Sequence, residues 1–270
     1  MKRVIAGLAL VAAAVGLAGC GASGLVDPVA SAASKSAGAG GARVSMRVEV
    51  SSPSFGDSVV TGTGLVDQDQ GRLSLDLSGI AASLPPQFAG VASGIDVLYD
   101  TEGGDHVVYA HAPFLGQFLG GKDWVRLDLE RAASSAGVNL GSVLGQAAGN
   151  PVQILDLLRQ NGDVTEVGPE TVDGVATTKY HASVDLEKAL TSKGVPEATV
   201  QQMLDAGAPA QLPVDVWIGN DDGLVREVQS TLAVPSQGGD VKTVATVKLS
   251  DWGTPVTVEP PPSDRVYAAN

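Results

Sequence analysis

RVSMRVEV, residues 43–50, is the stretch on which the fold turns: Val44, Met46, Val48 and Val50 alternate with Ser45, Arg47 and Glu49. A period of two sends successive side chains to opposite faces, so this is a strand with one dry side and one wet side. Downstream, Leu73, Leu75 and Leu77 alternate in the same way with Ser74, Asp76 and Ser78. Residues 59–66 read as a strand between these two, and DQDQG, residues 67–71, reads as the polar turn that follows it. Residues 95–99, 106–112 and 124–129 continue the pattern, with Glu102, Gly103 and Gly104 as a turn signal. The result is an antiparallel meander, interrupted at residues 79–94 by a loop or short helix.

Further along, the period lengthens. Leu140, Val143, Leu144 and Ala147 fit one helical face, and Asn150 before Pro151 starts a second helix over residues 152–160 that is apolar over a wide arc. A second β stretch occupies residues 164–167, 171–172 and 175–184, with an Asp173-Gly174 turn whose residues need positive φ. Two short helices follow, over 185–191 and 196–206, with Leu186, Leu190, Val200, Met203 and Leu204 expected to face inward. Val214, Val216 and Ile218 alternate, an NDDG turn falls at 220–223, and strands over 224–234 and 241–249 close the meander. This order predicts an α+β fold with one long antiparallel sheet and its helices gathered on one face.

The 270 residues carry a net charge of −13 from 17 basic and 30 acidic side chains, with one Cys. A single Cys excludes a disulfide framework, and the acidic balance argues against a nucleic-acid partner. Hydrophobic content of 44% supports a real core, although only 4% of residues are aromatic. At the start, Lys2 and Arg3 precede an apolar run, Val4 to Gly16, and then LAGC, residues 17–20. The pattern is that of a secretory signal peptide, and its end resembles a bacterial lipobox in which Cys20 becomes the lipidated N-terminus. The plainer alternatives are an ordinary signal peptide with a chance Cys, or an uncleaved anchor. The expected organisation is a signal peptide (1–19), a lipidated Cys with a flexible Gly/Ala/Ser tether (20–42), one domain (43–259) and a Pro-rich tail that leaves the fold (260–270). Pro28 and the Gly38 to Gly41 cluster count against a helix in the tether.

Three blocks carry a family resemblance: residues 162–189 (GDVTEVGPETVDGVATTKYHASVDLEKA), 213–228 (PVDVWIGNDDGLVREV) and 249–262 (LSDWGTPVTVEPPP). They resemble the actinobacterial LppX/LprA/LprF/LprG lipoproteins, within the wider LolA/LolB-like group. The VLYD, VVYAHAP and KDWVRLDL segments also fit, so the similarity runs in order from Arg43 to Pro262. The resemblance implies a strongly curved antiparallel half-barrel with helices on its concave face and an apolar cavity between. It implies a carrier of acylated lipid or glycolipid on the outer face of the cytoplasmic membrane, held there by the lipidated N-terminus, with a membrane transporter as a protein partner.

A container for alkyl chains needs aliphatic walls, no cofactor and no catalytic cluster. On the alternation above, the candidate lining is Val44, Met46, Val48, Leu73, Leu75, Leu77, Val97, Val125, Leu127, Val214, Val216 and Ile218, faced by helical Val143, Leu144, Leu155 and Leu158. For any one of these, plain core packing is the simpler reading. No metal site is expected: His106 and His111 are five apart on one strand and so point to opposite faces. Asp67, Asp69 and Gly71 faintly follow a calcium loop, but Ser78 stands where its bidentate Glu belongs. No acidic pair suited to glycoside hydrolysis is placed beside aromatic residues that would stack a sugar. Trp124, Trp217 and Trp252 fall on outer strand faces or at a strand end. The competing functions are a surface sensor or protein scaffold on the same fold and, least favoured, a hydrolase of envelope polymers.

Overall fold

The computed structural model describes residues 27–53, 56–67, 69–81, 94–100, 107–128, 162–192, 195–205, 209–234 and 239–268. The alternation of residues 43–50 becomes β1 (Ala42–Ser52), with Val44 buried and Arg43, Ser45, Arg47 and Glu49 exposed. The meander continues through β2 (Gly56–Val66), β3 (Gln70–Asp76), β4 (Ile95–Asp100), β5 (Val107–His111) and β6 (Trp124–Asp128). A second meander holds β7 (Gly162–Val172), β8 (Val175–Asp185), β9 (Gln211–Gly219), β10 (Val225–Val234) and β11 (Val241–Ser250). Among the described residues the two join into one twelve-stranded sheet, ordered β12-β6-β5-β4-β3-β2-β1-β11-β10-β9-β8-β7, where β12 is Val266–Ala268. Every pairing is antiparallel except that of β12 with β6. The seam between the meanders is β1 against β11, with Val44 opposite Leu249.

Turn chemistry explains the tight connections. Asp67 Oδ1 accepts hydrogen bonds from the backbone N–H of Asp69 (2.9 Å) and Gln70 (2.7 Å), which bends the chain from β2 into β3. Asp173 and Gly174 both have positive φ, 48° and 85°, as the hairpin between β7 and β8 requires. Four helical segments are described: α1 (Pro28–Ala37), α2 (Ser78–Ala81), α3 (Leu186–Ser192) and α4 (Glu197–Asp205). In α4, Val200 is fully buried, but Met203 is 41% exposed, so the inward assignment of Met203 is corrected. No helix among the described residues is long and apolar enough to cross a membrane.

Two segments depart from their expected roles. Within the expected tether, residues 28–37 form a docked helix. Pro28 stands in the first turn, where its missing N–H costs nothing, and the Asp27 carboxylate caps the end by accepting from Val29 N and Ala30 N. Gly38 closes the other end, its N–H donating to the Ser34 carbonyl. The residues read as breakers are therefore the helix's boundaries. Val29, Ala32, Ala33 and Ser36 recur at helical spacing and are buried against β9 and β10. The C-terminal tail also stays with the fold. Val258 is buried, its N–H donates to the Gln70 side chain, and β12 pairs with the edge strand β6. Lys122 Nζ donates to the Val266 carbonyl and Arg265 pairs with Asp123, which holds this last strand in place.

Candidate functional site

Antiparallel partners point their side chains to the same face, so the strand register decides where the candidate lining residues sit. Val44 and Met46 oppose Gly64 and Gly62. Those glycines oppose Leu73 and Leu75, and Leu73 opposes Val97. Val97 opposes Ala110, which opposes Val125, and Leu127 follows on the same face through Val108. In the other direction Met46 leads through Val247 and Val228 to Val216, which is flanked by Val214 and Ile218. The eleven candidates that lie within strands therefore share one face of the sheet. Leu77 lies one residue past β3 and is half-buried. Val143, Leu144, Leu155, Leu158 and Cys20 lie outside the described residues.

Burial divides this apolar face into two regions. Val44, Leu73, Val214, Val216 and Ile218 are buried in the main core with α1, Val225, Val228 and Leu249. Met46, Val48, Leu75, Val97, Val125 and Leu127 are only half-buried. Within the half-buried region, Gly62 offers bare backbone: a Cβ there would lie 2.7 Å from Leu75 Cδ2 and 2.8 Å from Met46 Cγ. Two flexible side chains thus fill the hollow that glycine leaves, and a thioether side chain repacks easily. At the β2–β3 end, the Tyr99 ring occupies the space beside Gly71, and its hydroxyl donates to the Asp67 carbonyl at 3.0 Å. Burial, with the Asp67 and Asp69 charges, pushes the Tyr99 phenol well above its ordinary range, so it stays a donor.

The opposite face is polar. Trp217 Nε1 donates to Glu170 Oε2 at 2.7 Å, and Lys179 Nζ sits 4.6 Å above the Trp217 ring while pairing with Asp215 at 2.9 Å. His181 Nδ1 approaches Asp215 to 2.6 Å. Burial pushes the Asp215 carboxyl up, yet the His181 and Lys179 contacts outweigh it and leave it below the usual carboxylate range. Glu227, with Lys248 3.9 Å away, is held above that range chiefly by burial. These contacts tie neighbouring strands together across β7–β11. Towards the other edge, His111 lies between Asp96 (3.1 Å) and Asp123 (3.2 Å) and stacks on Trp124. Residue order alone does not reveal this group, because its members come from β4, β5, β6 and the residue just before β6. Among the described residues no group of three or more His, Cys, Asp and Glu side chains is placed to hold a metal ion.

No protein-family model matches the chain. A curated relative from Streptomyces griseus, an uncharacterized 31.2 kDa protein of the rplA-rplJ intergenic region, is 33% identical over 153 residues. That match covers 53% of this chain and 47% of the relative, so the chain spans about half the length of the relative it matches. Among solved structures, LprF from Mycobacterium bovis is 17% identical, with 87% of this chain and 95% of that chain covered and a TM-score of 0.47. The chain is similar to LprF. The lipoprotein LppX from Mycobacterium tuberculosis is 16% identical, with 86% and 100% covered and a TM-score of 0.43. A LolA superfamily protein from Nitrosomonas europaea is 9% identical, with 82% and 93% covered and a TM-score of 0.32. LprF and LppX are namesakes of the family that the sequence resembles.

Proposed function

We propose that this protein is a lipidated, non-enzymatic carrier that holds the acyl chains of a lipid or glycolipid against the half-buried apolar face of β1–β6. One observation supports the reading above others: Met46, Val48, Leu75, Val97, Val125 and Leu127 share a face with the main core, yet all six are only half-buried. An aliphatic surface of that kind suits alkyl chains, because about fifteen methylenes exposed to water cost on the order of 12 kcal/mol. Helices over the same face, a curved sheet and a cavity between them belong to this proposal, as do Val143, Leu144, Leu155 and Leu158 as its far wall.

In this reading Cys20 bears the acyl anchor, on the outer face of the cytoplasmic membrane, and a membrane transporter hands over or receives the cargo. The docked α1 shortens the leash. Seven residues from Cys20 to Asp27 span at most about 25 Å, so the end of the sheet that carries α1 stays near the bilayer.

Mass spectrometry under native conditions, on full-length protein extracted from its own membrane, tests the carrier. The expected result is co-purified acyl lipid that is lost from a Val97→Arg variant. Protein that is empty as isolated, and stays empty after incubation with palmitoyl phospholipid vesicles, overturns it.

A further inference from the structure

The polar face holds a cleft, on the opposite side of the sheet from the proposed lipid surface. Thr63, Ser74, Asp96, His111 and Trp124 are successive cross-strand partners on β2 to β6, so they form one row on that face. A cleft of about 330 Å3 opens beside this row; its lining includes Thr63, Arg72, Ser74, Asp96, Leu98 and Trp124, together with Gly64 and Leu73 of the paired strands. Through Thr63 and Ser74 it continues into a polar groove of about 460 Å3 that reaches Asp76 and Ser78. Acid and aromatic ring, not expected side by side from the sequence, are brought together here by the strand register.

The cleft has set geometry. The Trp124 and His111 rings stack with centroids 4.8 Å apart and planes at 27°. His111 is held in turn by Asp96 Oδ2 at 3.1 Å and by Asp123 Oδ2 at 3.2 Å, and Arg265 clamps Asp123 from the C-terminal segment. Asp96 Oδ1, Trp124 Nε1 and the side chains of Thr63, Arg72 and Ser74 have no hydrogen-bond partner among the described residues. A fixed aromatic plane therefore stands beside a carboxylate, a guanidinium and two hydroxyls, all with open hydrogen-bonding capacity.

That combination suits a polyol ring: its C–H face packs on the indole, and its hydroxyls pair with planar charged groups. Charge narrows the ligand further. Asp96 repels anions and Arg72 repels cations, while the chain as a whole carries −13. Thr63, Arg72, Ser74 and Asp96 place hydrogen-bonding groups beside the cleft's apolar surface, a mixture that a sugar ring matches and an acyl chain does not. We propose that the Trp124 cleft binds a neutral pyranose unit of a glycan. The site is independent of the carrier reading, since it uses the other face of the sheet.

The test is saturation-transfer NMR and tryptophan fluorescence on the full chain, in a detergent without sugar headgroups, titrated with mannotriose, cellotriose and glucuronate. At least one neutral trisaccharide binds saturably at millimolar concentration, and glucuronate binds more weakly. Trp124→Ala and Arg72→Ala each weaken that binding about tenfold or more, whereas Trp217→Phe leaves it unchanged. Arg72 is an exposed side chain, so its variant decides the matter even where Trp124→Ala perturbs β6. Saturation by neither trisaccharide, tighter binding of glucuronate, or an Arg72→Ala variant that binds like the parent overturns the proposal.

Discussion

The Ser36 hydroxyl accepts a hydrogen bond from the Val225 N–H at 3.0 Å, joining α1 to the start of β10 across 189 residues of sequence. Both residues are fully buried. Val225 lies at a β-bulge, so its N–H is outside the regular ladder and depends on that hydroxyl. Ser36→Ala leaves a buried donor without a partner and is expected to cost about 1–3 kcal/mol. Denaturant unfolding measures this; an unchanged midpoint would show that α1 docks through its apolar side chains alone.

Gly71 is occupied ground. A Cβ placed there would lie 2.1 Å from the Tyr99 ring, so Gly71→Ala must displace a buried aromatic side chain. The expected loss is about 1–3 kcal/mol. In a Tyr99→Leu background the same substitution should cost clearly less, because the two residues share one space. Equal costs in both backgrounds would contradict that account.

Glu227 predicts a gain. Its folded-state pKa is raised, chiefly by burial, so the folded protein disfavours its charged form. For an acid shifted upwards, stability falls as pH rises from the ordinary carboxylate value through the raised one. Glu227→Gln should therefore leave the protein at least as stable as the parent at pH 7, with a smaller loss between acid and neutral pH. Thermal unfolding at pH 4 and pH 7 checks the sign; a variant destabilised more at pH 7 than at pH 4 would refute it.

Asp123 behaves in the opposite way. Hydrogen bonds from Arg265 bring its pKa down to about 2. A carboxylate shifted downwards contributes stability above its ordinary pKa and loses that contribution as pH falls towards the lowered one. The attachment of β12 to β6 should hence weaken between about pH 4 and pH 2. Amide exchange at Val266 to Ala268 reports it, and Asp123→Asn should show fast exchange there already at pH 7.

Much of the sheet was legible in the sequence because a period of two is written in strands such as β1, β3 and β9. Within a strand, alternation puts the apolar residues on one side; the register then brings Val44, Leu73, Val97, Val125 and Val216 to a common face. Two elements were hidden for different reasons. In α1, Ala, Ser and Gly are also the residues of a flexible linker, and only the buried Val29, Ala32, Ala33 and Ser36 stripe distinguishes a helix that docks from one that does not form. In β12, three residues are too few to show a period, and the strand rests on Lys122 and Asp123, more than 140 residues away. The Trp124 cleft was invisible for a third reason. Its residues span β2 to β6, and their proximity arises only from the pairing register.

The seam of β1 against β11 has a consequence for how the chain is made. More than 200 residues separate Val44 from its partner Leu249, so the middle of the sheet closes after its outer strands have had time to pair. Until β11 leaves the ribosome, β1 presents an unsatisfied edge that invites pairing with another chain. A truncation before residue 241 would thus split the sheet at its centre and leave two open-edged halves, and aggregation rather than a shortened domain is the outcome to expect.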